Sequence, residues 1–125
     1  MQNPKYLPDI EAEIYFLTTE EGGRKTPAFS GYRPQFFYDG NHWDAQQDYP
    51  EVSEVYPGQT VMTHLTFASP HYQLGKLCPG KEFLVCEGAK IVARGKVTKI
   101  LNLENSAKEA AAREAKRRGE NNDAT

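Results

Sequence analysis

The side chains with the most chemical reach fall in one early stretch, TTEEGGRKTPAFSGYRPQFFYDG, residues 18–40. It sets Gly22-Gly23 beside Arg24 and Lys25, and Arg33 and Gln35 just ahead of an aromatic run. Glycine lets backbone approach a ligand closely, and arginine presents a planar fork to phosphate. Such a stretch could cradle a phosphate, contact RNA, or only turn a corner between strands. A phosphate-binding loop needs G-x-x-x-x-G-K-[ST] opening a helix. That spacing does not occur in the chain, so no GTP binding or hydrolysis is expected. His42, His64, His71, Cys78 and Cys86 show none of the paired spacings of a structural zinc site. His64 reads instead as a strand histidine satisfied by a neighbour. Glu20-Glu21 reads as a solvated strand end. No nucleophile–base pair or carboxylate dyad stands out, so neither enzyme activity nor a cofactor is expected.

The elements that must position these residues are mostly strands. Ile10, Ala12, Ile14 and Phe16 alternate with Glu11, Glu13, Tyr15 and Leu17, a strand with one apolar face. Gly22-Gly23 ends it. Thr26-Pro27 and Arg33-Pro34 punctuate a loop, each proline removing a backbone donor. Gln35–Tyr38 reads as a second strand closed by Asp39-Gly40-Asn41. Residues 42–57 look irregular, with a short strand near Trp43–Asp48. From Gln59 to Phe67, Val61, Thr63, Leu65 and Phe67 share one face. Residues 71–79 read as a loop, and Glu82–Cys86 as a strand. Glu87-Gly88-Ala89 reads as a tight turn. In the last strand, Lys90–Leu101, Ile91, Ala93, Gly95 and Val97 oppose Val92, Arg94, Lys96 and Thr98. The fold class is therefore all-β: a small closed antiparallel β-barrel of about six strands, closure leaving no free edge, with a C-terminal polar α-helix.

Three segments are expected: a loose N-terminal arm at 1–9, the barrel at 10–103 and a charged helical or disordered tail at 104–125. Ser106 followed by Glu109 reads as a capping box. Glu109–Arg113 and Glu114–Arg118 are i, i+4 pairs, and Gly119 stops the helix. Its only apolar residues are alanines, so a solvated helix is expected, or a basic arm. The chain has 125 residues, which suits one domain, and a net charge of −2, so no overall field draws it to nucleic acid. There is no long apolar run and no secretory leader, which implies a cytoplasmic protein with no membrane contact and two free thiols.

One resemblance is specific. The segment EAEIYFLTTEEGGRKTPAFSGYRPQFFY resembles the start of the third, C-terminal β-barrel domain of translation elongation factor Tu. The shared pattern includes Glu21, Gly22, Gly23, Arg24, Thr26, Pro27, Phe29, Tyr32, Arg33, Pro34, Gln35 and Phe36. PGQTV (Pro57–Val61) and EGAKIVARGKVTKIL (Glu87–Leu101) resemble the family's later strand start and closing hairpin, in the right order. The resemblance covers roughly residues 9–103 and implies a stand-alone version of that domain without the GTPase domain.

What it implies for the site can be carried over residue by residue. Arg24 and Lys25 fall on a basic pair that faces tRNA in the family. Arg33 and Gln35 match directly, and Glu87 and Gly88 match a turn that approaches the RNA backbone. Gln35 could bond a ribose 2′-hydroxyl. Loop shaping, RNA contact and a protein interface all remain open for Arg24, Arg33 and Gln35. Departures weaken the RNA option. Ser69-Pro70 stands for Lys-Pro, Cys86 for arginine, and GNHWDAQQD brings Asp44 and Asp48 to that surface. The loop between Pro70 and Phe83 is also roughly four residues longer, a change surface loops tolerate. Each lost cation removes salt-dependent affinity. The resemblance therefore implies a protein-interaction module linked to translation, binding a partner of the translation machinery or itself, and alternatively a weak binder of tRNA or structured RNA. Phe29, Phe36 and Trp43 are expected to be exposed apolar surface unless a partner or a second copy covers them.

Overall fold

The computed structural model describes residues 7–119. Its strands are β1 (Ile10–Phe16), β2 (Ala28–Phe29), β3 (Gln35–Tyr38), β4 (Asn41–Asp48), β5 (Glu54–Val55), β6 (Thr60–Phe67), β7 (Glu82–Glu87) and β8 (Lys90–Ile100). A single helix, α1 (Leu103–Arg117), follows them. Six strands close into a barrel in the order β1-β6-β4-β3-β7-β8, all neighbours antiparallel, and β2 and β5 form a separate two-stranded ribbon. The expected all-β barrel with a C-terminal helix is what the chain forms.

Period-two alternation decides which side chains fill the barrel. Ile10, Ala12, Ile14 and Phe16 of β1 are buried, as are Val61, Thr63, Leu65 and Phe67 of β6. Aromatic packing organises the centre. The Phe36 ring stacks on Phe83 with centroids 4.1 Å apart and meets Phe67 edge-on at 4.9 Å. Phe83 lies opposite Gly95 across β7 and β8. A Cβ on Gly95 would fall 2.4 Å from the Phe83 ring, so glycine leaves the space that the ring fills.

Several expectations need correction. In β8 the alternation slips: a bulge opposite Val85 and Cys86 puts both Val92 and Ala93 in the core and turns Ile91 outward. A bulge inserts one unpaired residue, so the face reverses beyond it. Phe36 is core, not surface, and Trp43 is half-buried against the Tyr72 ring, 5.8 Å away. Phe29 is exposed as expected, at 56%. The short strand expected near Trp43–Asp48 is the eight-residue β4, and β5 adds a strand whose partner β2 lies in the loop before β3. The first turn after Ser69 is a 3-10 turn, Pro70–Tyr72.

The chain ends of the barrel also differ from expectation. Residues 1–6 of the expected loose arm, and 120–125 of the expected tail, lie outside the described residues. Asp9 is fixed: its N–H donates to Leu65 O at 2.8 Å, its own carbonyl accepts from Leu101 N at 2.9 Å, and its side chain is buried. Helix α1 starts before Ser106, with Asn102 as its N-cap, and it is not a free solvated helix. Leu103, Ala107 and Ala110 are buried; Leu103 joins the core, and the helix packs on the Pro70–Tyr72 turn. The Glu114 carboxylate also accepts from Tyr72 Oη at 2.8 Å and pairs with His71 Nε2 at 2.9 Å. Leu103 is the apolar anchor, and alanines suffice beside it because small side chains let the helix approach closely. Arg118 pairs with Glu114 at 3.4 Å, and Gly119 closes the helix at φ 78°.

Candidate functional site

Three segments meet at one end of the barrel: the loop from β1 to β2, the entry to β3, and the β7–β8 turn. The Gly22-Gly23 corner shapes the first. Gly22 holds φ 97°, and a Cβ on Gly23 would collide with the Leu17 carbonyl at 2.2 Å. The amides of Gly22 and Gly23 donate to Thr19 O and Thr18 O at 3.0 and 2.8 Å. They are spent on the turn itself, so this glycine pair makes a corner and not an anion cradle.

The corner delivers Arg24 to Glu87. Arg24 Nη1 donates to the Glu87 carboxylate, while Nε reaches Thr26 O at 3.2 Å and Nη2 reaches Thr26 Oγ1 at 3.2 Å and Pro27 O at 3.1 Å. The guanidinium also lies over the Tyr32 ring, 4.7 Å from its centroid, and Tyr32 Oη donates to the same Glu87 oxygen. Burial works against the charge on Glu87, but the Tyr32 and Arg24 hydrogen bonds and the Arg24 charge together hold its carboxyl below the usual range. Burial, followed by the hydrogen bond to Glu87, pushes the Tyr32 phenol well up. Below this triad, the Tyr49 hydroxyl donates to the buried Gln47 at 2.9 Å.

The remaining expected residues sit around that triad. Gly88 forms the adjoining β7–β8 turn with φ 61°. Lys25 is exposed and makes no hydrogen bond or ion pair among the described residues. Gln35 is the cross-strand partner of both Asp44 and Cys86, and its amide donates to the Asp44 carboxylate. Arg33 Nε reaches Gln46 Oε1 at 3.3 Å, and Gln46 in turn donates to Asp48 at 3.1 Å. Thus Arg24 and Glu87 bind each other, Gln35 binds an aspartate, and Lys25 and Arg33 point outward with little restraint. Tyr32 is the member that sequence reasoning did not single out. The signal available for it is its place in the shared family pattern, directly before Arg33-Pro34.

Residues 3–101 match the family described as elongation factor Tu C-terminal domain. The chain belongs to the elongation factor Tu C-terminal domain family. That span contains all six strands of the barrel. The elongation factor Tu C-terminal domain is a non-catalytic β-barrel, the factor's catalysis residing in its GTPase domain, and the family is one of translation-related binding modules. Helix α1 lies beyond the matched residues. Both cysteines are free thiols, and burial pushes the Cys86 thiol up. His64 Nε2 lies 3.5 Å from a Glu11 carboxylate oxygen on the neighbouring strand. No helix among the described residues is long and apolar enough to cross a membrane.

A second surface feature lies on the β2–β5 ribbon. Phe29, Val52 and Tyr56 are 56%, 46% and 47% exposed, on or beside paired strands. Single exposed apolar side chains are ordinary, but three large ones close in the fold are a candidate contact.

Proposed function

We propose that this chain is a non-catalytic protein-interaction module of the translation machinery, working in the cytoplasm without GTP. The observation that carries the reading is the internal neutralisation of the residues that match the family's tRNA-facing positions. Arg24 spends its guanidinium on Glu87, Thr26 and Pro27. Gln35 is held by Asp44, and Asp48 stands behind Gln46. A phosphate approaching this end would meet two aspartates and a cation already paired, and RNA affinity falls with each cation removed from contact. Phe29, with Val52 and Tyr56, offers apolar surface for a protein partner instead.

A weaker second reading keeps RNA. Lys25 and Arg33 remain exposed at the same end, and two exposed cations can give salt-sensitive contact with tRNA. Titration against deacylated and aminoacylated tRNA at low and near-physiological salt separates the two readings. The protein reading expects no saturable binding at near-physiological salt. It also expects translation components to be retained from extract by the wild-type chain and lost with Phe29→Glu. Micromolar tRNA binding that collapses with salt, and weakens in Lys25→Ala and Arg33→Ala, would replace it with the RNA reading.

A further inference from the structure

The outer face of the barrel carries a cleft of about 600 Å³ over β1, β8, β7 and β3. That volume is in the range of small-molecule sites, roughly 300–1,000 Å³. Two in-register rungs of side chains line it. In one, Glu13, Lys96 and Glu82 face each other across β1, β8 and β7, so the lysine has a carboxylate on either side. In the other, Tyr15, Arg94, Leu84 and Phe37 follow one another across β1, β8, β7 and β3. This second rung contains one cation and no acid.

Its parts are held in a defined arrangement. The Tyr15 hydroxyl donates to Glu21 Oε1 at 2.9 Å, and the same oxygen accepts the Thr18 N–H at 2.8 Å. The phenol ring is thereby fixed as a platform. Arg94 lies over it, its guanidinium carbon 4.7 Å from the ring centroid. Arg94 makes no hydrogen bond or ion pair among the described residues, and Glu21, the carboxylate that feels its charge, is already held by Tyr15 and Thr18. By leaning toward Tyr15, Arg94 leaves Leu84 and Phe37 as an apolar floor. The Phe37 ring is braced at the far side by His42, 4.5 Å away.

We propose that this cleft is a binding site for a small aromatic carboxylate, its ring on Leu84 and Phe37 and its carboxylate on the guanidinium fork of Arg94. A planar fork stacked on an aromatic ring loses less freedom on pairing than a mobile lysine would. The apolar floor supplies the area that a carboxylate alone lacks. The site shares the Thr18–Gly23 corner with the Arg24–Glu87 end but uses neither Arg24 nor Glu87, and it does not depend on the function proposed above.

The test is a titration of the 15N-labelled chain with indole-3-acetate, with uncharged indole-3-acetamide as the matched control, followed by amide shifts. Saturable shifts centred on residues 15, 37, 84 and 94 are expected. Affinity for the acetate should exceed that for the amide by about tenfold, the advantage of a charge-assisted pair. Arg94→Met keeps the apolar stem on an exposed strand position and should erase that difference while leaving the rest of the spectrum folded. Phe37→Ser should weaken both ligands, and Phe29→Ser, on the β2–β5 ribbon, neither. Equal binding of acetate and amide, an acetate affinity unchanged in Arg94→Met, or no saturable shifts at this rung would each overturn the assignment.

Discussion

Arg24 and Glu87, 63 residues apart in sequence, pair across the end of the barrel and tie the loop after β1 to the β7–β8 turn. Tyr32 donates to the same carboxylate, so one glutamate closes three segments. The pair is half-buried, with side-chain exposures of 20% and 34%. Removing either partner should therefore cost stability as well as any binding role. Arg24→Ala and Glu87→Gln are each expected to lower unfolding free energy by about 1–3 kcal/mol, toward the lower end because Glu87 is partly screened by water. In a double-mutant cycle the pair should show favourable coupling. Additive losses in urea melts would mean the two residues act separately.

The pH dependence of that pair has a definite sign. The folded Glu87 carboxyl ionises more readily than the ordinary value of 4.5. Its contribution is present above that value and is lost as pH falls through the depressed folded one. Wild type should therefore lose stability faster than Glu87→Gln on acidification below about 4.5. Parallel Tm-against-pH curves for the two proteins would contradict this.

Asp9 is predicted to behave in the opposite way. It is 1% exposed; Oδ2 accepts the Phe67 N–H at 2.8 Å, while Oδ1 has no hydrogen-bond partner among the described residues. Burial raises its pKa above 3.8, with Ser106 and the Phe67 amide offsetting part of the effect. A raised carboxyl favours the folded state most when protonated, and that contribution is lost as pH rises through the folded pKa. Asp9→Asn keeps the shape and supplies a neutral group, so it should match or exceed wild type at pH 7 and lose that advantage at pH 4 and below. A large loss at pH 7, measured by thermal melting, would show that the charge itself holds the helix end.

Gly95 tests the aromatic centre. The Phe83 ring fills the space a side chain there would need and is itself stacked on Phe36, so it has no easy retreat. Gly95→Ala should destabilise by about 1–3 kcal/mol, as overpacking does. Phe83→Leu in the same background should recover part of the loss. No change in the chemical-denaturation midpoint would mean the ring shifts freely.

Docking of α1 rests on Leu103, which is 1% exposed, with Ala107 and Ala110 beside it. Leu103→Ala should cost about 2–4 kcal/mol in the helix's protection from hydrogen exchange while the barrel amides keep theirs. Glu114→Gln should have a smaller effect, through its contacts with His71 and Tyr72. Loss of protection throughout the barrel would show that helix and barrel unfold as one unit.

Much of this architecture was legible in residue order. Alternation along β1 and β6 identified their core faces, because successive strand residues point to opposite sides. Asp39-Gly40 and Gly88 marked hairpins, because the backbone there needs positive φ. The Gly22-Gly23 pair and the Tyr32–Gln35 run marked the family. What residue order could not carry was decided by contacts between distant segments. The β8 bulge turned Ile91 out and Val92 in, and Phe36 found Phe83 and Phe67 only after closure. Leu103 became a helix anchor because the barrel end received it. Arg24 looks in sequence like a cation ready for phosphate. Folding sets Glu87 and Tyr32 against it, so a phosphate would have to compete with a carboxylate already in place.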